Sequence, residues 1–228
     1  MVYRAIWDAF TKSKILEHVY ADVSEMSKKT QKMFGDAFDC VLDNKPVMQE
    51  LIYDDTRLNK YEISVRVKIM NYLALNRAPD INAALMLLET VVHYERIGDY
   101  CKNIAQISCL YPADVKDGEY KDKVKEMMGA VGGMFPLVHD ALKHEDVKKA
   151  EKAAGMHNKT IKKMHAELIA LLNKQEGLTP NQAIVYAALG MNLRRISAHL
   201  YNTASGVINP FPEMGFERGK YTDKSDEL

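Results

Sequence analysis

Two carboxylates one helical turn apart, Glu95 and Asp99, sit in a stretch otherwise rich in apolar residues. On a helix advancing about 100° per residue, Leu85, Leu88, Val91 and Val92 gather on one face, and both acids fall in the middle of it. Like charges at this spacing repel, and a buried unpaired carboxylate costs several kcal/mol. Something positive must lie against them: a lysine or arginine, protons, or a metal ion. A second set lies upstream. Asp55, Asn59, Glu62 and Arg66, at i, i+4, i+7 and i+11, fall at the centre of the apolar face formed by Met48, Leu51, Leu58, Ile69 and Leu73. If the two helices pack side by side, Asp55, Asn59, Glu62, Glu95 and Asp99 form one oxygen-rich, sulfur-free set suited to a hard cation such as Mg²⁺, Mn²⁺ or iron. The competing reading is an internal network in which Arg66 pairs with Glu62 and Asp99 and no metal enters. Asp54 falls about 100° off the face centre and ranks below Asp55.

The elements that must position these groups read as helices throughout; no alternation of period two is sustained anywhere. Residues 3–43 form one long amphipathic segment. Asn44 as N-cap and Pro46 in the first turn restart the chain for a second helix running to about Asn76. Arg77 to Asp80 is the next restart, for a third helix reaching about Leu110, with an outward stripe through Asn82, Glu89, His93, Arg96 and Tyr100. Tyr111-Pro112 and Asp117-Gly118 mark a linker. A fourth helix covers roughly 119–143, with Gly129, Gly132, Gly133 and Pro136 predicting a kink or break. A fifth covers about 145–174 and closes at Gly177. Thr179-Pro180 caps a sixth that ends at Asn209-Pro210, and 211–228 read as a loosely ordered tail.

The segment from Asn192 to Ala204 overlays His93 to Ala105, 99 residues on, with Arg, Ile, Asn and Ala in register, and each copy follows a Pro-started helix at Pro79 and Pro180. The expected architecture is therefore all-α: a duplicated three-helix bundle of six long helices, with repeats at 1–112 and 113–210 and a tail at 211–228. The second copy lacks the acids. Arg194 stands for Glu95, Ala198 for Asp99, and Met156-His157-Asn158 lies near where Asp54-Asp55 is expected.

Glu95-Arg96-Ile97-Gly98-Asp99 with Asn103-Ile104-Ala105, preceded by Asp54-Asp55-Thr56-Arg57-Leu58-Asn59, Glu62 and Tyr72-Leu73-Ala74-Leu75, resembles the signature of the PhoU family. The likeness is good over about 46–107 and weaker, in the right order, up to about 208. It implies a duplicated helical bundle whose acidic motifs hold metal ions, here in the first repeat alone. It also implies a regulator, not an enzyme, that holds down phosphate uptake and phosphate-starvation signalling. Such a regulator docks on phosphate transporter components and on a sensor histidine kinase, as a homodimer. An accessory subunit of a secondary phosphate permease fits the same motif. A carboxylate-bridged metal enzyme of ferritin-like type calls for Glu-x-x-His on paired helices, and the chain has none; Glu89 to His93 is one residue too long.

Composition narrows the field further. Of 228 residues, 47% are hydrophobic, enough for a large core, and the 31 basic residues equal the 31 acidic ones, which argues against a nucleic-acid binder. Three cysteines without a C-x-x-C read as reduced thiols, and charge interrupts the N-terminus too early for a signal peptide, so the expected location is the cytoplasm, peripheral to a membrane at most. The terminal Ser-Asp-Glu-Leu reads as a chance likeness to a retention tag. The seven histidines are scattered: His157 and His165 are eight apart, and His139 and His144 five, spacings that do not stack on an α-helix. They read as solvated or core residues, with His93 and Glu89 an exposed pair and His199, after Arg194-Arg195, a packing residue or an anion contact.

Overall fold

The computed structural model describes residues 14–43, 45–110, 115, 117–174 and 176–217. The first helix, α1 (Lys14–Leu42), buries Leu16, Val19, Val23, Met26, Thr30, Met33, Ala37 and Val41, a 3-4 alternation typical of a bundle seam. The start expected at residue 3, and the Asn44 cap, lie outside the described residues. The second helix, α2 (Met48–Leu75), follows the same rule through Leu51, Asp55, Leu58, Val65, Ile69 and Tyr72. The third, α3 (Ile81–Leu110), begins where the Asp80 carboxylate accepts from the Ala83 N–H at 2.9 Å, and the Asp80 N–H donates to the Tyr72 hydroxyl at 2.8 Å.

In the second repeat, α4 (Glu119–His144) runs unbroken through its three glycines and Pro136, against the expected break. Pro136 is exposed while Met134, Phe135 and Val138 are buried, so the missing hydrogen bond falls on the wet side and packing holds the rod. Glu145 ends the helix in the left-handed region, at φ 53°, and the Asp146 side chain caps the next by accepting from the Lys149 N–H. The expected single fifth helix is a rod of three parts: α5 (Val147–Gly155), a π-helical turn (Met156–Ile161) and α6 (Lys162–Leu172). The last helix, α7 (Pro180–Ile208), opens on a full capping box between Thr179 and Gln182, as its Thr-Pro start predicts.

Helix α3 packs against α1, α2 and α7, and α7 against α4 and the α5–α6 rod, so each repeat's last helix is its centre and the two centres meet. Phe34 of α1 reaches Phe135 of α4, ring centroids 5.2 Å apart, at the same join. The start of the expected loose tail is tied down. A 3-10 turn at Phe211–Glu213 follows α7, the Phe211 N–H donates to Asn82, and the Asn209 amide donates to the carbonyls of Glu213 and Phe216. Residues 218–228 lie outside the described residues. Among the described residues no helix is long and apolar enough to cross a membrane.

Candidate functional site

The alternation along α2 places Asp55 on the same seam as Leu51 and Leu58, facing α3. The cation waiting there is Lys102, a residue the sequence reading passed over although it lies three after Asp99. Its ammonium donates to Asp55 at 2.7 Å and to Asp99 at 3.1 Å, bridging the two helices. Burial opposes the charge on Lys102, but the hydrogen bonds to Asp55 and Asp99 outweigh it and hold the ammonium above the usual lysine range. Arg96 adds a second cation, 3.1 Å from Asp99 and 3.5 Å from Glu95.

Glu95 is the least satisfied acid of the group. Burial first, then the Asp99 charge, raises its pKa; Arg96 pulls the other way, and Glu62 and Asp55 add smaller repulsions. The charges of Asp99, Glu62 and Asp55 thus all bear on Glu95. Asn59 does not join them. It is exposed, as is Arg66, which pairs with Glu62 at 2.6 Å and not with Asp99. The reason is the seam's period: packed helices repeat near 3.5 residues, so positions 55, 58, 62 and 65 face inward while 59 and 66 turn out.

Asp54 needs the opposite correction. It is as buried as Asp55, because α1 covers α2 from the other side, and Lys29 donates to it at 2.7 Å with Lys32 at 3.5 Å. The adjacent aspartates therefore tie α2 to two different neighbours. The acids meet resident ammonium and guanidinium groups, and among the described residues no three His, Cys, Asp or Glu side chains form a group fit to hold a metal ion. The residues as arranged build a salt network around Lys102 and Arg96, with Asn59 outside it.

The stripe expected to be wet is half core. His93 is buried against α7, its Nδ1 3.2 Å from Nδ1 of His199, with Tyr100 against the His199 ring and Arg195 over Tyr100. Helix α3 is enclosed by three neighbours, and the partial polarity of this face reflects a polar junction between repeats. The face carrying Leu85, Leu88, Val92, Glu95 and Asp99 is the less buried one. Burial drives the pKa of both imidazoles down to about 4, helped at His93 by His199 and at His199 by Arg96 and Arg195.

The second repeat keeps the stage and changes the actors. On α3 the stripe facing α2 is Val91, Glu95, Gly98 and Lys102; 99 residues on, α7 carries Gly190, Arg194, Ser197 and Tyr201. Where Lys102 meets Asp55, Tyr201 stacks on His157 with ring centroids 5.3 Å apart. His157 Nδ1 also lies 2.9 Å from the Ser197 hydroxyl. His157 is thus the positional counterpart of Asp55. The histidine spacing judged unfit for one face is made fit by the π turn. One extra residue in the turn makes an eight-residue step act as seven, so His157 and His165 both face α7.

Comparison with known proteins agrees with the duplicated bundle. The model of the PhoU domain matches residues 23–108 and 124–207, one segment on each repeat. The crystal structure of PhoU from Pseudomonas aeruginosa superposes with a TM-score of 0.80 at 20% identity, covering 87% of this chain and 97% of that one. The phosphate transport system regulatory protein PhoU from Streptococcus pneumoniae gives 0.76 at 15% identity, covering 85% and 93%. An uncharacterised protein of Methanocaldococcus jannaschii is 30% identical over 155 residues, 67% of this chain, and the chain spans 50% of that protein's length.

Proposed function

The chain belongs to the PhoU family, and from that premise we propose that it is a non-enzymatic regulator of phosphate uptake and phosphate-starvation signalling. It acts by docking on phosphate transporter components and on the sensor kinase of the same response, from the cytoplasmic side. The observation that carries the reading is the family match laid over both repeats, acidic motif included. The regulatory title of the Streptococcus relative supports it. A docking role is supported by the outer face of α2. Ile52, Ile63, Val67 and Met70 are each more than 40% exposed and share a stripe about 60° wide, well away from the Asp55 seam. A homodimer through such faces belongs to the same proposal.

Radiolabelled phosphate uptake in cells lacking the protein tests the role. Uptake should stay high when phosphate is plentiful, and normal repression in its absence overturns the reading. Complementation with Ile63→Asp plus Met70→Asp, both on exposed positions, separates docking from folding: the variant should fold, yet leave uptake unrepressed. A divalent metal in the first repeat belongs to this proposal only as a competitor of Lys102 for Asp55, Glu95 and Asp99.

A further inference from the structure

In the seam between α7 and the α5–α6 rod the acids of the first-repeat seam are gone and one cation stands among neutral groups. Arg194 replaces Glu95, His157 replaces Asp55, and Ala198 replaces Asp99. The π turn brings His157 and His165 to the same side, against Ser197 and Gly190 respectively: a Cβ on Gly190 would lie 3.6 Å from the His165 ring. Arg194 leaves α7 between those two contact points, one turn from each. Its charge bears on both imidazoles, and that of Lys162 on His157.

Arg194 is exposed and makes no ion pair among the described residues, whereas Glu167 and Asp140, acids of the same repeat, are held by Lys123 and Lys163 and by Lys149. The Nε2 of His165 is buried without a hydrogen-bond partner on a ring that is otherwise partly exposed. A ring nitrogen in that state costs free energy until it finds a partner. The Ser197 hydroxyl donates to the Arg194 carbonyl at 2.8 Å, so it accepts from His157 Nδ1, which fixes that ring as a wall of the seam.

We propose that the Arg194–His165 seam of the second repeat binds a phosphoryl oxyanion. The Arg194 guanidinium fork takes two oxygens, and a rotated His165 ring donates from Nε2 to a third. The duplicated bundle then carries a cation-neutralised acidic seam in one repeat and, at the equivalent place in the other, a lone guanidinium beside two neutral imidazoles. The ligand is either free phosphate or a phosphorylated side chain of a protein, and both present the same dianion. The proposal stands apart from the regulatory reading, because its test needs the purified chain alone.

The histidine Cε1–H signals of the full chain are followed by NMR during titration with inorganic phosphate and, separately, with a phosphoserine peptide and its unphosphorylated form. Saturable shifts of the His157 and His165 signals are expected at or below about 10 mM. Arg194→Gln should weaken binding about tenfold or more, and Arg194→Lys less. Arg195→Gln, which removes the cation lying over Tyr100, should leave it unchanged. Binding by free phosphate identifies a small-ion sensor. Binding by the phosphopeptide alone identifies a phosphorylated partner; either supports the site. No saturable shift with either probe, equal response to the unphosphorylated peptide, or indifference to Arg194→Gln overturns it.

Discussion

Lys102 decides the character of the first-repeat seam, because one ammonium neutralises carboxylates from two helices. Removing one member of such a buried set leaves the others uncompensated, which costs more than the pair itself contributes. Lys102→Met should lower stability by about 1–3 kcal/mol near neutral pH, read from urea unfolding. The same variant tests metal binding. With the ammonium gone, Mn²⁺ should raise the melting temperature of Lys102→Met more than that of the wild type, and equal or absent shifts would discard the cation site. Glu95 makes the complementary case. Its raised pKa means that the fold prefers the protonated acid, so the stability linked to this group is full below the ordinary carboxylate range and is lost as pH rises through the folded value. Glu95→Gln should therefore stabilise the protein near neutral pH and do nothing once the acid is protonated in both states. A urea midpoint that falls at neutral pH would refute the account.

At the scale of elements, long amphipathic rods with Pro and Thr at their starts were legible because each signal is local. Thr179, Pro180 and Gln182 spell a capping box within four residues, and the structure has it. Two things were not local. Which side of a helix is wet depends on how many neighbours it has, so α3, with three, hides His93, and α2, with two, hides Asp54 as well as Asp55. The supercoiled period, near 3.5, turned Asn59 and Arg66 outward although a straight helix of 3.6 keeps them near the seam. The π turn was equally invisible, since a single extra residue leaves no compositional trace. It carries its own prediction. A π turn of this kind is one residue inserted into an α-helix, so removing the exposed Lys159 should restore a regular rod with both flanking faces still aimed at α7. That deletion should fold with unchanged helical circular dichroism and lose less than about 1 kcal/mol. Removing the exposed Lys60 from α2, which has no insertion to absorb the change, rotates one half of its seam by about 100° and should leave the chain largely unfolded. Equal behaviour of the two deletions would show that the turn is not an insertion.

At the scale of the whole molecule, the two repeats meet through a junction that is polar at its middle: His93, Tyr100 and Arg96 from α3 against His199 and Arg195 from α7, with Glu89 3.6 Å from His93 Nε2. A carboxylate beside Nε2 favours the proton there, which leaves His93 Nδ1 as acceptor and makes His199 Nδ1 the donor across the junction. That bond needs His93 neutral, because a protonated Nδ1 cannot accept. Burial first lowers the pKa of His93, His199 and also His157 to about 4, so the folded chain refuses protons that the unfolded chain accepts below about 6.5. The sign follows: the stability these rings contribute is complete above about pH 6.5 and is lost as pH falls toward 4, on the order of 2 kcal/mol per ring. Because two of the three lie where the centres of the repeats touch, acid should loosen the halves from each other before either half melts. Urea unfolding near pH 5 should then show a lower midpoint and a broader, two-step transition than near pH 7. His199→Gln, which carries no titratable ring, should flatten that pH dependence and sharpen the transition again. A wild-type midpoint constant across this range would mean that the junction does not sense protons and that the repeats are held by Phe34, Phe135 and their apolar neighbours alone.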